Sequence, residues 1–70
     1  MIRIKDGVDI LGMLARCGFT SYEIRRQRLI GQSELQRIRH EGLPSWDTLN
    51  LICEILCMQP GEIIEYVDDR

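Results

Sequence analysis

No stretch of apolar residues in this 70-residue chain approaches the ~20 that a helix needs to cross a bilayer. The first residues, Met1-Ile2-Arg3-Ile4-Lys5-Asp6, do not lead into the apolar core and small-residue cleavage site of a secretory signal. From these two absences a cytoplasmic protein, away from membranes, is expected. Cysteine is sparse and odd in number: Cys17, Cys53 and Cys57 cannot close a disulfide framework. Cys53 and Cys57 share one face of a predicted helix and read as reduced thiols packed as small hydrophobes. A metal site would need more ligands nearby, and the lone histidine, His40, is not placed to complete one. Repeats, low-complexity stretches and linkers are also missing, so a single domain over residues 1–70 is expected. One histidine, no glycine-rich phosphate loop and no carboxylate pair in an apolar run leave no nucleophile–base pairing. Neither enzyme chemistry, nor a cofactor, nor a small-molecule substrate is expected, and Glu62 and Glu65 read as solvated surface.

Positive charge is short overall but not everywhere. The net charge of −2, taken alone, argues against nucleic acid. Residues 1–15 balance to zero, residues 16–40 carry a surplus of +4, and residues 41–70 carry −6. The cations of the middle third are all arginine: Arg16, Arg25, Arg26, Arg28, Arg37 and Arg39. Arginine's planar fork suits phosphates and guanine edges. A solvated charged surface explains the same run on charge alone, so position has to decide. The acidic last third should face away from any duplex.

Apolar spacing predicts five helices. Val8, Leu11, Leu14 and Ala15 form a stripe at helical spacing, with Asp6 as N-cap and Gly18 as the stop. Thr20-Ser21-Tyr22-Glu23 fits a capping box, in which Thr20 accepts from the amide of residue 23 and Glu23 reaches back. Phe19 is set to staple onto Ile24, and this helix should run to about Arg28. A third helix is expected from Gln32 to Glu41, after Gly31 and before Gly42, with Leu35 and Ile38 inward. Leu43-Pro44 turns the chain, and Ser45 caps a fourth helix with Trp46 in its first turn. There Leu49, Ile52, Cys53 and Leu56 follow an unbroken helical stripe. Pro60 suits the first position of a short fifth helix holding Ile63 and Ile64. Short connections point to a compact all-α bundle, though one this small buries only roughly 60% of its unfolded surface. At the ends, Ile2 and Ile4 alternate with Arg3 and Lys5, and Tyr66-Val67 is strand-like. A short β pairing of the termini, within one chain or across a dimer, fits that pattern.

From Thr20 to Arg39 the chain places a capped helix, a tight turn and a second helix in close succession. With Leu35 and Ile38 inward, Gln32, Ser33, Glu34, Gln36 and Arg37 face out. Glutamine pairs bidentately with adenine, arginine with guanine, and serine with several base edges. Glu34 could accept from cytosine, but a carboxylate in a first helical turn is better explained by the helix dipole.

The ordered set Thr20, Ile24, Ile30, Gln32-Ser33, Leu35 and Ile38 resembles the lambda-repressor/Cro-like (Xre) helix-turn-helix family of transcriptional regulators. Downstream, Pro44-Ser45-Trp46, Leu49, Ile52-Cys53, Leu56, Gln59-Pro60-Gly61-Glu62 and Glu65-Tyr66-Val67 resemble its very small members, so the likeness spans nearly the whole chain. It implies a five-helix, lambda-repressor-like DNA-binding domain, with residues 20–28 bracing the backbone and residues 32–41 in the groove. By position, Gln32, Ser33 and Arg37 match groove-facing sites, and Ser21 matches the residue that usually meets a phosphate. Arg39 and His40 fall at the distal end, where backbone contacts are expected. Double-stranded DNA as partner, a homodimer as working form and repression as outcome are further implications. Two residues depart from the family: Arg25 stands where a small residue is usual, and Leu29 where the turn usually has glycine. Arg25 must then snorkel outward, and a leucine at positive φ would be strained. The turn is therefore expected to be built differently, with the second helix extended by a turn and Leu29 packed inward.

A competing reading is a protein-interaction module on the same fold, an antirepressor or toxin-neutralising subunit that binds no DNA. The acidic last third, the marginal core, the Tyr66-Val67 end and the two departures favour it.

Overall fold

The computed structural model describes residues 1–40 and 42–68. In chain order these form β1 (Ile2–Ile4), α1 (Ile10–Arg16), α2 (Ser21–Gln27), α3 (Gln32–Arg39), α4 (Trp46–Leu56), α5 (Pro60–Ile63) and β2 (Ile64–Tyr66). The mainly helical architecture and the short terminal pairing both agree with expectation. The expected end of the third helix at Glu41 lies outside the described residues; among those described, it ends at Arg39. Among them, too, no helix is long and apolar enough to cross a membrane.

The first helix starts three residues later than its spacing suggested. Asp6 does not cap it. The amide of Val8 donates to the carbonyl of Lys5 at 3.1 Å, and Gly7 takes φ +82°. Asp6-Gly7 is therefore the centre of a tight turn whose third position requires a left-handed residue. Asp9 caps instead, its carboxylate accepting from the amide of Gly12 at 3.1 Å. The buried stripe shifts accordingly to Ile10 and Leu14, while Leu11 is half-buried and Ala15 is exposed.

Three helices end in the same way. After α1, the amide of Phe19 donates to Leu14 at 2.8 Å and that of Gly18 to Ala15 at 3.0 Å. After α2, Leu29 donates to Ile24 at 3.0 Å and Arg28 to Arg25 at 3.2 Å; after α4, Met58 donates to Cys53 at 3.1 Å. The residue before each of Phe19, Leu29 and Met58 is left-handed: Gly18 at φ +89°, Arg28 at +54° and Cys57 at +54°. This is the Schellman termination, in which the residue after the left-handed one folds an apolar side chain back onto the helix. Phe19, Leu29 and Met58 are half-buried against the core, as that geometry requires.

Every helix contributes to one core: Ile10 and Leu14 from α1, Ile24 from α2, Leu35 and Ile38 from α3, Leu49 and Ile52 from α4, and Ile63 from α5, with Ile30 from the turn. Helix α1 packs against both α3 and α4. Expected inside the fifth helix, Ile64 instead begins β2, pairing with Ile4 in an antiparallel ladder that also sets Ile2 opposite Tyr66 and Arg3 opposite Glu65. The terminal pairing thus forms within one chain. Its ends are closed by the amide of Lys5 donating to Ile63 at 2.9 Å and that of Val67 donating to Met1 at 2.8 Å. Glu65 is not simply solvated, since it pairs with Arg3 at 3.0 Å, and Glu62 accepts from the amide of Gln59 at 2.8 Å.

Candidate nucleic-acid interface

Helix α2 begins at Thr20, whose hydroxyl accepts from the amide of Glu23 at 3.3 Å. The reciprocal half of the expected capping box does not form. The Glu23 carboxylate turns to Arg26 at 2.9 Å and to Gln27 at 3.0 Å. These bonds, that to Arg26 first, hold the Glu23 carboxyl below its ordinary value and raise the arginine. Arg26 is thereby neutralised locally.

The helix is not extended by a further turn; it stops at Gln27. Arg28 takes the left-handed position, one residue before the place where the family resemblance set glycine. Leu29, following it, is free to pack inward without strain. Arg25 lies exposed, so its length does not wedge the helices apart.

Ile30 is buried and Gly31 begins α3, on which Leu35 is fully buried and Ile38 nearly so. With those two facing the core, Gln32, Ser33, Gln36, Arg37 and Arg39 stand exposed along the opposite side, and His40 is exposed at the C-terminal end. Ser21 is half-buried at the first position of α2. Arg37 is held at its stem. The amide of Gly42 donates to its carbonyl at 2.8 Å, and a Cβ on Gly42 would lie 2.9 Å from the Arg37 Cγ. Glycine at 42 makes that close return of the chain sterically allowable.

Glu34 does not face out with its neighbours. Its Oε1 accepts from the amide of Ser45 at 2.7 Å and from the hydroxyl of Thr48 at 3.0 Å, and Oε2 lies 3.7 Å from Arg37. Its side chain is only 18% exposed. Ser45 is the N-cap of α4 and bonds the amide of Thr48 at 3.3 Å. A full capping box would use Glu or Gln at position 48 to receive the Ser45 amide. This chain has Thr48 there, and Glu34 supplies the missing acceptor from a different helix. Ser45 first, then Thr48 and Arg37, hold the Glu34 carboxyl below its ordinary value. The signal was present in the sequence as an incomplete box at Ser45-Trp46-Asp47-Thr48.

Ion pairs divide the arginines. Arg3 is paired with Asp6 and Glu65, Arg26 with Glu23, and Arg37 loosely with Glu34. Among the described residues, Arg16, Arg25, Arg28 and Arg39 are exposed and have no ion pair. Arg25 and Arg28, counted in the sequence among the arginines of the middle third but not among the candidate contacts, are thus exposed cations near the C-terminal end of α2.

A sequence profile of the Cro/C1-type HTH DNA-binding domain matches residues 10–69. The chain belongs to that family. No curated protein and no solved structure matches it at a significant level. As a Cro/C1-type domain it is a DNA-binding regulator.

Proposed function

We propose that the protein regulates transcription, as a repressor, by reading a specific double-stranded sequence with α3 in the major groove. The carrying observation is the two-sidedness of α3: Leu35, Ile38 and Glu34 pin one side, while Gln32, Ser33, Gln36 and Arg37 stand exposed on the other. Gln32 and Gln36 suit adenine edges, Arg37 guanine and Ser33 several bases. Ser21, Arg39 and His40 contact the phosphate backbone, joined by Arg25 and Arg28. Glu34 is left out of base reading because its oxygens are already engaged.

An eight-residue helix is roughly 12 Å long, which spans three to four base pairs at about 3.4 Å each. That is too short a word for a unique site, so two copies reading half-sites about 34 Å apart form the working unit. Bound at a promoter, such a dimer represses by occupying the duplex.

Selection of bound sequences from a random duplex library tests this reading. A two-fold enriched motif is expected, with affinity falling on a log–log salt slope of roughly −4 to −5 per five phosphates contacted. Absence of any gel shift at low salt, with Arg37→Ala and Gln32→Ala silent, would make the interaction-only module the better account. Two of the features that favoured that module lose their force, since Arg25 is exposed and Leu29 packs against the core.

A further inference from the structure

The fold engages most of its carboxylates. Asp6 and Glu65 meet Arg3, Glu23 meets Arg26, and Glu34 meets the amide of Ser45. Asp9 and Glu62 accept from the amides of Gly12 and Gln59. Asp47 and Glu54 are different. Both are exposed, and among the described residues neither carboxylate has an ion pair or a hydrogen bond. Asp47 stands in the first turn of α4, where the helix dipole favours an anion. Glu54 stands in the last turn, which holds no basic residue, so its charge opposes the same dipole. Helix stability accounts for the first acid and not for the second.

Both acids line one open groove of about 790 Å³ along α4. Its apolar part is Leu49, Cys53, Met58 and Pro60, with the indole of Trp46, 74% exposed, at the start of the helix. Among the described residues no arginine, lysine or histidine lines it. Seven residues separate the two acids, which puts them on the same side of α4 and two turns apart, roughly 10.5 Å along its axis.

We propose that this groove binds a basic amphipathic helix of a partner protein, in which two cations two turns apart meet Asp47 and Glu54. Both helices have the same period, so cations at i and i+7 on the incoming segment repeat at the spacing of the acids, whichever way it runs. Its residues at i+3 and i+4 share that face. They are apolar and lie over Leu49, Cys53 and Met58, in the helix-in-groove mode of recognition. The partner supplies at Glu54 the positive charge that the end of α4 lacks. Duplex DNA does not fit the groove, because its phosphates would meet both acids. Nor does a second copy, since among the described residues no helix of this chain carries cations seven apart. None of the groove residues is a proposed DNA contact, so partner binding and DNA reading are separable.

A synthetic alanine–leucine helix without aromatic residues tests this, with two arginines seven apart and leucines at the apolar positions. Its control has the same composition with the arginines five apart, which turns them to different faces. In about 50 mM salt, anisotropy of the labelled peptides should show the matched one binding about fivefold more tightly or better. Unlabelled, it should shift the emission of Trp46, the chain's single tryptophan. Asp47→Asn and Glu54→Gln should each weaken binding by about two- to fivefold, and together they should erase the preference between peptides. Asp6→Asn, which removes an acid paired with Arg3 outside the groove, should leave binding unchanged. Glu54→Gln should melt no lower than the parent, which separates lost binding from lost fold. Equal binding of both peptides, binding of neither, or indifference to both acid variants would overturn the proposal. So would Trp46 emission that shifts with protein concentration alone, the sign of a second copy in the groove.

Discussion

From Thr20 to His40 the exposed side chains are mostly arginine and glutamine, whereas from Ser45 to Asp68 they include Asp47, Glu54, Glu62, Trp46 and Tyr66. The two stretches share a core, Leu35 and Ile38 meeting Leu49, Ile52 and Ile63 in it, yet their surfaces are opposite in sign and in chemistry. The junction between them explains how this is sustained. Glu34, an anion on α3, turns away from the exposed face and onto the N-terminus of α4, where backbone amides and the helix dipole favour negative charge. Glu23 is likewise engaged, by Arg26 and Gln27. A net charge of −2 is thus a sum over two surfaces of opposite sign and describes neither.

The contrast can be broken most forcefully through what the halves share. Leu35 is fully buried, and Leu35→Ala should cost about 2–5 kcal/mol, a large part of what so small a domain has. Chemical denaturation should then show the basic and acidic halves melting together; separate transitions would mean that they are independent units. Arg37→Ala comes next, at about 1–3 kcal/mol of binding with preference relaxed at one base pair. Equal loss on every sequence, measured by competition binding, would remove Arg37 from base reading. Its stability should change little, because the guanidinium is exposed.

Glu34→Gln acts on the junction itself. The folded carboxyl is held below its ordinary value, so its contribution is fully present above the unfolded value and is lost as pH falls through the folded one. Melting temperature should therefore drop on acidification below the ordinary carboxylate range, and Glu34→Gln should lower it at neutral pH while flattening part of that acid slope. Glu23 has the same sign, so Glu23→Gln is the control that separates the two. Affinity for DNA should fall in the Glu34 variant with base preference unchanged, since the residue orients α3 and does not read bases.

The smallest effects sharpen the comparison best. Arg28→Gly and Cys57→Gly each relieve a left-handed residue and should stabilise by up to about 1 kcal/mol, measured as a shifted denaturation midpoint. Only Arg28→Gly should also reduce the salt slope of DNA binding, by about one. Equal slopes for both variants would exclude Arg28 from the backbone contacts.

Helix starts set by a side chain three residues from its amide were legible before any coordinates, as at Thr20 and Ser45, because that bond needs nothing from elsewhere. Asp6 and Asp9 offered the same local chemistry, and the Asp6-Gly7 pair, a turn dipeptide, was the available clue that the first could not cap. Leu29 was expected to pack inward and does, but the helix extension expected with it does not occur, because Arg28 takes the positive φ. Counting back from an apolar residue that must fold onto Ile24 would have put the positive φ at Arg28. Gln32, Ser33, Gln36 and Arg37 were legible as an outward set because Leu35 and Ile38 fix the helical phase. Glu34 was not, since its partner lies eleven residues on, beyond a turn.

Local sequence alone determined five helices, the caps at Thr20 and Ser45 and the polar stripe of α3, because hydrogen bonds within a turn and the 3.6-residue period act over a few residues. Tertiary structure decided that Ile64 extends to pair with Ile4 and that Glu34 serves α4. Those outcomes depend on residues brought together from distant parts of the chain. Such contacts exist only once the core has formed and aligned the segments that carry them.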